Sequence, residues 1–364
     1  MMKRKGLSWL VLLLSIFFVM QFENIMSQAT KLLDTDYKHV NAVYFNLNND
    51  FEHRAQIMTT DEAFIIVGRE KVQYLSKEGT LLWEKTVSSK NVSISSYKSE
   101  FVLAEKKAGD LFILNKKGEI TEKRFALGAI ESIKCFDDGY IGVLKTDNEF
   151  ILLDKKLKTL CSTQLPKGKI IDFDVDVAKQ NIAILILDLN QKSFNSKLVL
   201  ASFNGNIISG SNIEQEIAYD MKLYDQQIAV LVDDGYKLYD FTGKLQNEYP
   251  MEQTIGGFEL SEPTWIYLKQ QTTDVLEATD RIVALDREAK TVKEFKTKFN
   301  PINGLMTIGK NLLLYNEENV AIVDTTGKVL ETYKGSETIR AVHMLGSESF
   351  AIEYINHLDV YMKK

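Results

Sequence analysis

Short apolar runs separated by turn residues make up the chain from Tyr37 onward. They are rich in Val, Ile, Leu, Tyr and Phe, and they show no helical periodicity. Short runs of this kind, bounded by Gly, Asn, Asp and Ser, are typical of β-strands. In the segment 71–87, Val72–Leu75 leads into Ser76–Gly79 and Leu81–Trp83 leads out. This segment is therefore predicted to be a strand, a tight turn and a second strand.

The same turn recurs along the chain, with a small polar residue followed three positions later by glycine. Ser, Asn or Asp can hydrogen-bond the local backbone, and Gly adopts the positive φ that closes the turn. The complete copies are Ser76–Gly79, Asn115–Gly118, Ser202–Gly205, Asp240–Gly243 and Asp324–Gly327, and the degenerate copies are Asp154–Leu157 and Asp286–Ala289. Their first residues lie 39, 39, 48, 38, 46 and 38 residues apart. A period near 40 with four strands per repeat predicts an all-β fold, the β-propeller.

The last repeat is incomplete. Seven repeats contain strands A to D, counted outwards from the centre, and an eighth begins at Thr338 and reaches Met362 without a strand D. A sheet without its outer strand would leave an unpaired edge. The strand-like segment Val40–Leu47 belongs to no repeat, so we predict that it supplies the missing strand. The result is an eight-bladed β-propeller over residues 38–364, closed by an N-terminal strand.

A targeting segment precedes the repeats. Lys3 to Lys5 are basic, and the run Leu7–Met20 is uncharged and almost wholly apolar. As an anchor, residues 1–22 form one N-terminal transmembrane helix and 23–37 form a linker. As a signal peptide, the segment offers small residues for cleavage at Ser27–Ala29. The basic residues predict a cytoplasmic N-terminus and an extracytoplasmic propeller at the cell membrane, or a secreted propeller after cleavage.

Charge and cysteine content narrow the classes of partner. The net charge is −6, and the body has no basic stretch for binding phosphates, so no nucleic-acid partner is predicted. The four His and two Cys form no CxxC or HxxxH motif, so no zinc site is predicted. Cys135 and Cys161 fall in strands A and D of one repeat, ~14 Å apart. This separation is too large for a disulfide, so both are predicted to be free thiols.

The sequence Gly79-Thr-Leu-Leu-Trp83 resembles the repeats of the eight-bladed propellers related to quinoprotein alcohol dehydrogenases. The layout of a short anchor before eight degenerate repeats is also similar to an uncharacterised family of bacterial membrane-anchored propellers. The quinone-dependent enzymes hold their cofactor with adjacent cysteines and a stacking Trp. Here Cys135 and Cys161 are 26 residues apart, and Trp265 is the other Trp of the body. The resemblance therefore implies the fold, and neither a quinone nor another cofactor is predicted.

Two groups of polar residues are candidates for chemistry in the central channel. Asp172, Asp174 and Asp176 alternate along one strand A, so their carboxylates share one face and could bind Ca²⁺. The alternative is a water-lined channel wall, because calcium loops place such residues on a tight turn with Gly. His343 lies in the innermost strand of the eighth repeat, where it could act as a base or a ligand. No Ser, Cys or second His accompanies it at a readable spacing.

Two pairs of lysines in the second repeat suggest a surface contact. Glu105–Gly109 and Asn115–Gly118 each contain two consecutive lysines. Together they would form a small basic patch that contacts anionic lipid or a cell-wall or surface polymer. The alternative is that these are ordinary solvated turns.

The fourth and sixth repeats are longer than the others, with extra residues between strands B and C at Asp188–Ser196 and Gln270–Arg281. Both insertions should project from the face that carries the B–C and D–A connections, two blades apart. Asp188, Phe194, Asp274 and Leu276 are the candidate contact residues for a protein or peptide partner.

The predicted function is therefore a monomeric, non-enzymatic binding or scaffolding propeller tethered to the membrane. One alternative is a ligand sensor or enzyme with its site in the central channel. Another is an assembly factor for cell-surface proteins.

Overall fold

The computed structural model describes residues 36–44, 56–60, 63–68, 71–87, 91–98, 100–165, 167–188, 195–224, 227–251, 255–261, 265–270, 280–286, 288 and 290–364. These residues form 32 strands and a single 3₁₀ turn at Asp137–Gly139. No helix among them is long and apolar enough to span a membrane. The predicted anchor, residues 1–22, lies outside the described residues, as does the linker up to residue 35.

The strands form eight four-stranded antiparallel sheets, numbered here in chain order. Sheet 1 contains β2 (Gln56–Thr59), β3 (Ala63–Val67), β4 (Lys71–Ser76) and β5 (Leu81–Thr86). Sheet 2 contains β6 (Val92–Tyr97), β7 (Glu100–Glu105), β8 (Asp110–Leu114) and β9 (Ile120–Arg124). Sheet 3 contains β10 (Ile130–Cys135), β11 (Ile141–Lys145), β12 (Glu149–Leu153) and β13 (Thr159–Gln164). Sheet 4 contains β14 (Lys169–Asp176), β15 (Asn181–Asp188), β16 (Asn195–Ser202) and β17 (Ile207–Glu214).

The second half of the chain repeats this arrangement. Sheet 5 contains β18 (Ala218–Tyr224), β19 (Gln227–Val232), β20 (Gly235–Asp240) and β21 (Leu245–Pro250). Sheet 6 contains β22 (Ile255–Ser261), β23 (Trp265–Gln270), β24 (Arg281–Leu285) and β25 (Thr291–Lys296). Sheet 7 contains β26 (Gly304–Ile308), β27 (Asn311–Tyr315), β28 (Asn319–Val323) and β29 (Val329–Lys334). Sheet 8 contains β30 (Ala341–Met344), β31 (Ser349–Glu353), β32 (His357–Lys363) and β1 (Tyr37–Tyr44).

The eighth sheet closes the ring as predicted, because the N-terminal strand supplies its outer strand. β1 pairs antiparallel with β32, from Tyr37 opposite Lys363 to Tyr44 opposite His357. The strand begins three residues before the predicted segment Val40–Leu47, since its pairing continues to the end of β32. The last three residues of that segment lie outside the described residues.

Eight apolar clusters hold the sheets together, and each contains residues of two consecutive sheets. The cluster that joins the first sheet to the last includes Phe64 and Ile66 of β3 with Val43 of β1 and Leu358 of β32. The first strands contact one another between sheets 2 and 3, 4 and 5, 6 and 7, and 8 and 1, which places strand A at the inner side of the ring. The core is therefore a ring of inter-sheet contacts, the arrangement of a β-propeller.

The recurrent C–D turns form as the sequence predicts. The carboxylate oxygen Oδ1 of Asp240 accepts hydrogen bonds from the backbone N–H groups of Thr242 (2.8 Å) and Lys244 (3.0 Å). Gly243 closes this turn with a φ of +81°. In a degenerate copy Leu157 adopts a φ of +59° instead. Its side chain is buried between sheets 2 and 3, and this burial offsets the unfavourable backbone conformation.

Side chains of the outer strands also reach the C–D turn of the next sheet. Each donates a hydrogen bond to a backbone carbonyl of that turn. The donor and acceptor pairs are Asn41 and Glu78, Trp83 and Lys116, Arg124 and Leu157, and Ser211 and Gly243. The pair that contains Asn41 joins β1 to sheet 1, so the closing strand makes the same kind of hydrogen bond to the next sheet as the other outer strands.

Both cysteines are free thiols, as predicted. Cys135 lies at the end of the innermost strand of sheet 3, and Cys161 lies buried in the outermost strand of that sheet. Burial raises the pKa of the Cys135 thiol to about 12. The two residues therefore act as small, unreactive parts of the core.

Candidate functional site

Hydrogen bonds between B–C and D–A connections place both sets at the same end of the ring. In the B–C turn of sheet 3, Nδ2 of Asn148 donates to the carbonyl of Gly168 in the connection to sheet 4 at 3.0 Å. Its Oδ1 accepts from the N–H of Ile170, near the start of β14, at 2.7 Å. Between sheets 4 and 5, the N–H of Ala218 at the start of β18 donates to Ser196 Oγ near the start of β16 at 2.9 Å. We call this end, with connections such as 146–148 and 165–168, the loop face. The opposite end, with A–B and C–D turns such as 136–140 and 115–119, is the turn face.

The two long B–C connections belong to the loop face, on either side of sheet 5. In sheet 4 the strands extend into the predicted insertion, because β15 ends at Asp188 and β16 begins at Asn195. In sheet 6 they end at Gln270 and resume at Arg281, so the strands include the first and last residues of the predicted insertion. The candidate contact residues Phe194, Asp274 and Leu276 lie outside the described residues.

The structure places Asp188 inside the base of the first long connection. Its side chain is buried, and Oδ2 lies 3.3 Å from the ammonium group of Lys197 on the neighbouring strand. A buried carboxylate of this kind holds two strands together and presents little surface to a partner. Asp188 therefore anchors the connection.

Three aromatic side chains of the loop face are exposed, and no pattern in the sequence marks them. Tyr44 at the end of β1 is 73% exposed, Phe125 after β9 is 56% exposed, and Tyr219 at the start of β18 is 52% exposed. They are the exposed aromatic residues among those whose side-chain exposure is described. Their sheets, 8, 2 and 5, are spread around the ring. Strand periodicity alone could not reveal them, because each lies at a strand end where inward and outward positions are poorly defined.

Tyr219 belongs to sheet 5, between the two sheets that contain the long B–C connections, and it lies beside an acidic turn. Burial raises the pKa of its hydroxyl, as do the negative charges of Asp233 and Asp234 in the B–C turn of sheet 5. Asp233 also accepts a hydrogen bond from the N–H of Ile217 at 3.1 Å, which fixes the turn against the D–A connection. An exposed aromatic ring beside two carboxylates favours a partner segment that carries positive charge.

The channel aspartates join two sheets. Asp172 accepts a hydrogen bond from Met221 N–H at 3.2 Å, and Asp174 accepts one from Leu223 N–H at 2.7 Å. These N–H groups belong to β18, the inner strand of sheet 5. Asp176 instead accepts a hydrogen bond from Lys179 N–H at 3.0 Å. The three carboxylates that the sequence aligns therefore have separate partners.

Further charges surround the first two aspartates. Lys134 of sheet 3 forms an ion pair with Asp172. Burial raises the pKa of Asp174, and burial followed by the charge of Asp172 raises that of Asp220. In the described part of the chain, no three His, Cys, Asp or Glu side chains come together in a way that could hold a metal ion. This wall is a hydrogen-bonded joint between sheets 3, 4 and 5.

His343 has one acidic partner in sheet 8. Its Nε2 lies 2.7 Å from Oε2 of Glu353 on the adjacent strand. Burial, followed by the charge of Glu353, raises the pKa of Tyr315 in sheet 7. This group lies in sheets 7 and 8, whereas the aspartates belong to sheets 4 and 5.

The lysine pairs of the second repeat do not form one patch. Lys106 and Lys107 lie in the B–C turn, at the loop face, whereas Lys116 and Lys117 lie in the C–D turn, at the turn face. Strand β8 separates them by roughly 15 Å at the usual rise per residue. The prediction of a single patch is wrong because strand C carries the chain from one face to the other.

A cavity of about 700 Å³ lies at the ring closure between sheets 7 and 8. Sheet 8 has no C–D turn here, because β32 and β1 are distant in the sequence. Leu330, Glu331 and Lys310 line the cavity, together with an ion pair of 2.8 Å between Lys363 and Glu348. The cavity thus occupies the position that a C–D turn fills in other sheets.

Solved structures with the same fold support the architecture. BamB from Moraxella catarrhalis has a TM-score of 0.59 and 13% identity, over 90% of this chain and 99% of that chain. The C-terminal WD40 domain of Sif2 has a TM-score of 0.66 and 12% identity, over 90% and 98%. The computationally designed protein Ika8 has a TM-score of 0.69 and 8% identity, over 89% and 99%. At these identities the likeness shows the fold alone.

The family comparison covers the whole ring. No curated protein matches the sequence. A family described as "Family of unknown function (DUF5711)" matches residues 35–360, from the residue before the described ring into its last strand. The chain therefore belongs to the family of unknown function DUF5711.

Proposed function

We propose that this protein is a non-catalytic binding or scaffolding propeller whose loop face contacts a protein or peptide partner. The observation that carries the proposal is the location of the exposed aromatic residues Tyr44, Phe125 and Tyr219 on the face that carries both long connections. Aromatic side chains are enriched at protein interfaces, where they bury a large area at a small cost in conformational entropy.

The spread of the aromatic residues indicates a large partner. They belong to sheets 8, 2 and 5, so a small ligand could not contact all three. At sheet 5 the partner contacts Tyr219 between the long connections, beside Asp233 and Asp234. A segment with Lys or Arg would complement these carboxylates.

The propeller is tethered to the membrane in this proposal. The basic residues Lys3 to Lys5 and the apolar run Leu7–Met20 support a single N-terminal span with its N-terminus in the cytoplasm. The propeller then lies outside the cell, or is secreted if the segment is cleaved. An assembly factor for cell-surface proteins is a narrower form of the same function.

A second candidate function is a sensor or enzyme with a ligand in the central channel. It is favoured by the carboxylates of Asp172 and Asp220, which interact across two inner strands, and by the raised pKa of Asp220. A ligand would have to replace the hydrogen bonds that Asp172 and Asp174 make to sheet 5. We therefore rank this function below partner binding.

The test of the proposal compares two triple variants in capture from a membrane extract. In the first, Tyr44, Phe125 and Tyr219 are changed to Ser. In the matched control, three exposed aliphatic residues of the turn face, Ile120, Ile207 and Leu245, are changed to Ser. We expect the first variant to lose at least about tenfold in capture of a specific partner, since interface aromatics often contribute 1 kcal/mol or more each. Equal capture by wild type and the aromatic variant, at equal thermal stability, contradicts the proposal.

A further inference from the structure

We infer that the turn face docks on an anionic lipid surface, so that the loop face points away from the bilayer. This inference rests on the membrane tether of the proposed function. It assigns the lipid contact to the face opposite the partner site.

The first observation is the place where the N-terminal segment joins the ring. Tyr37 begins β1 opposite Lys363, at the turn-face end of sheet 8. The N–H of Asp36 donates a hydrogen bond to Oε1 of Glu331 at 2.9 Å, which fixes the start of the strand to sheet 7. The chain that carries the basic residues and the apolar run therefore leaves the propeller at the turn face.

The second observation is a set of exposed aliphatic side chains around the rim of this face, which we call the collar. All are among the first two residues of an outermost strand, directly after a C–D turn. The collar consists of Leu81, Leu82, Ile120, Leu160, Ile207, Ile208, Leu245 and Leu330. Among the residues whose side-chain exposure is described, Ile355 is the one exposed Leu or Ile outside the collar. Aliphatic exposure is thus concentrated at the turn face, whereas aromatic exposure is concentrated at the loop face.

The third observation is a group of exposed lysines next to the collar in sheets 2 and 3. Lys116, Lys117, Lys155, Lys156 and Lys158 lie on two adjacent C–D turns. The acidic residues of these turns are Glu119 and Asp154. The carboxylate of Asp154 accepts hydrogen bonds from the N–H groups of Lys156 and Lys158, both at 2.9 Å.

Lipid is favoured over a soluble polyanion because lysines and aliphatic side chains occur together. Lysines alone would serve for any polyanion, but an aliphatic collar gains from contact with the acyl region of a bilayer. Each lysine near an anionic surface contributes about 1 kcal/mol, or about fivefold in affinity. Replacing four of these lysines should therefore strongly lower the fraction of protein whose turn face is docked on the bilayer.

The experiment reports orientation in the full chain, reconstituted into vesicles of phosphatidylglycerol and phosphatidylcholine. A fluorophore is attached to Cys at Thr325→Cys, on the C–D turn of sheet 7, or at Thr338→Cys, in the D–A connection after it. Both positions are exposed, and both native thiols are poorly accessible. Spin-labelled lipid headgroups serve as the quencher. We expect the Thr325→Cys probe to be quenched in anionic vesicles, at least threefold more than the Thr338→Cys probe, and this difference to fall in vesicles of phosphatidylcholine alone.

Two charge variants then test which lysines hold the turn face on the anionic lipid surface. Changing Lys116, Lys117, Lys155 and Lys156 to Glu should abolish the difference between the probes. The matched control changes four exposed lysines of the loop face to Glu, with the same change in net charge, and should leave the difference intact. The control residues are Lys107, Lys167, Lys298 and Lys334.

A collar variant separates lipid from a generic polyanion. In this variant Leu81, Leu82, Ile207 and Ile208 are changed to Ser, and we expect quenching to fall. Undiminished quenching would show charge attraction alone and would overturn the lipid assignment. Equal quenching of the two probes in wild type, with the protein still bound to vesicles, overturns the inference but leaves the tether standing. Failure to associate with vesicles at all counts against the tether as well.

Discussion

The indole N–H of Trp83 donates a hydrogen bond to the backbone carbonyl of Lys116, 2.9 Å away in the next sheet. The ring lies against Gly118 of the same turn, where a Cβ atom would come within 2.8 Å of the indole. This glycine has a φ of +74°. One residue therefore closes the turn and leaves room for the side chain that joins sheets 1 and 2.

Changing Gly118 to Ala should destabilise the fold by about 2–4 kcal/mol. The strained φ contributes about 1–2 kcal/mol and the clash with Trp83 the remainder. Gly309→Ala is the control, because its φ is +55° and a Cβ atom there would meet nothing within 4 Å. It should therefore show the backbone cost alone. Urea denaturation measures the free energy of unfolding of both variants. Equal losses of stability would show that the contact with Trp83 does not contribute.

Changing Asp220 to Asn should raise stability at pH 7 by about 1 kcal/mol. In the wild type, Asp220 accepts a hydrogen bond from Met221 N–H at 2.7 Å, and Asn can accept the same bond. The amide of Asn can also donate a hydrogen bond to Asp172, which removes the repulsion between the charges of Asp172 and Asp220. The pKa of Asp220 is raised in the folded chain, so the wild type loses stability as pH rises from the usual range of aspartate through that raised pKa.

The Asn variant lacks this titration, so its advantage should shrink as pH falls through the raised pKa of Asp220 and that carboxyl becomes protonated. Thermal unfolding from pH 4 to pH 8 follows the difference. Asp137→Asn, on an exposed turn, is the control and should change stability by less than about 0.5 kcal/mol. An Asp220→Asn variant that is less stable at pH 7 would contradict the prediction.

Two valines of β1 test the closing strand. Val43 is 2% exposed and packs in the cluster between sheets 8 and 1, whereas Val40 is 41% exposed. We expect Val43→Ala to cost about 2 kcal/mol through lost burial, and Val40→Ala to cost less than about 0.5 kcal/mol. The change in urea midpoint measures both. Similar small effects would mean that β1 contributes little to the ring.

The thiols should resist modification in the folded protein. Burial raises the pKa of both Cys135 and Cys161, so little thiolate forms at pH 8. We expect a disulfide reagent such as DTNB to react slowly with native protein and to titrate two thiols after denaturation in guanidinium. Rapid reaction of one thiol in native protein would show an opening of sheet 3.

The sequence predicts the parts of the fold that depend on local chemistry. The turns from Ser76 and Asp240 are visible because their bonds span four residues or fewer, and their period reveals the repeat. Asp172 shows the limit. Its partner Met221 lies 49 positions away in another sheet, and no local pattern encodes that distance. The two interpretations of the aspartates, as ligands of an ion or as part of the channel wall, differ only in contacts between residues that are distant in the sequence.

The same limit applies to the candidate contact surface. The lengths of the fourth and sixth repeats identify its long connections, because insertions change a spacing that can be counted. The exposed ring of Tyr219 and its neighbours Asp233 and Asp234 depend on how two strands of sheet 5 end. Sequence alone does not resolve strand ends to within a residue.

The pairing of β1 with β32 has a consequence for how the chain folds during synthesis. His39 and Asp359, which approach to 3.3 Å across this pair, are separated by 320 positions. At a translation rate of roughly 5–20 residues per second, β1 waits at least about 15 seconds for its partner. Until then β1 is an unpaired strand, and the apolar face of sheet 1 that packs on sheet 8 is uncovered. Both favour association with other chains. A nascent propeller of this kind therefore depends on protection of its first strand, and a chaperone that binds residues 37–44 should delay aggregation without slowing the formation of sheets 1 to 7.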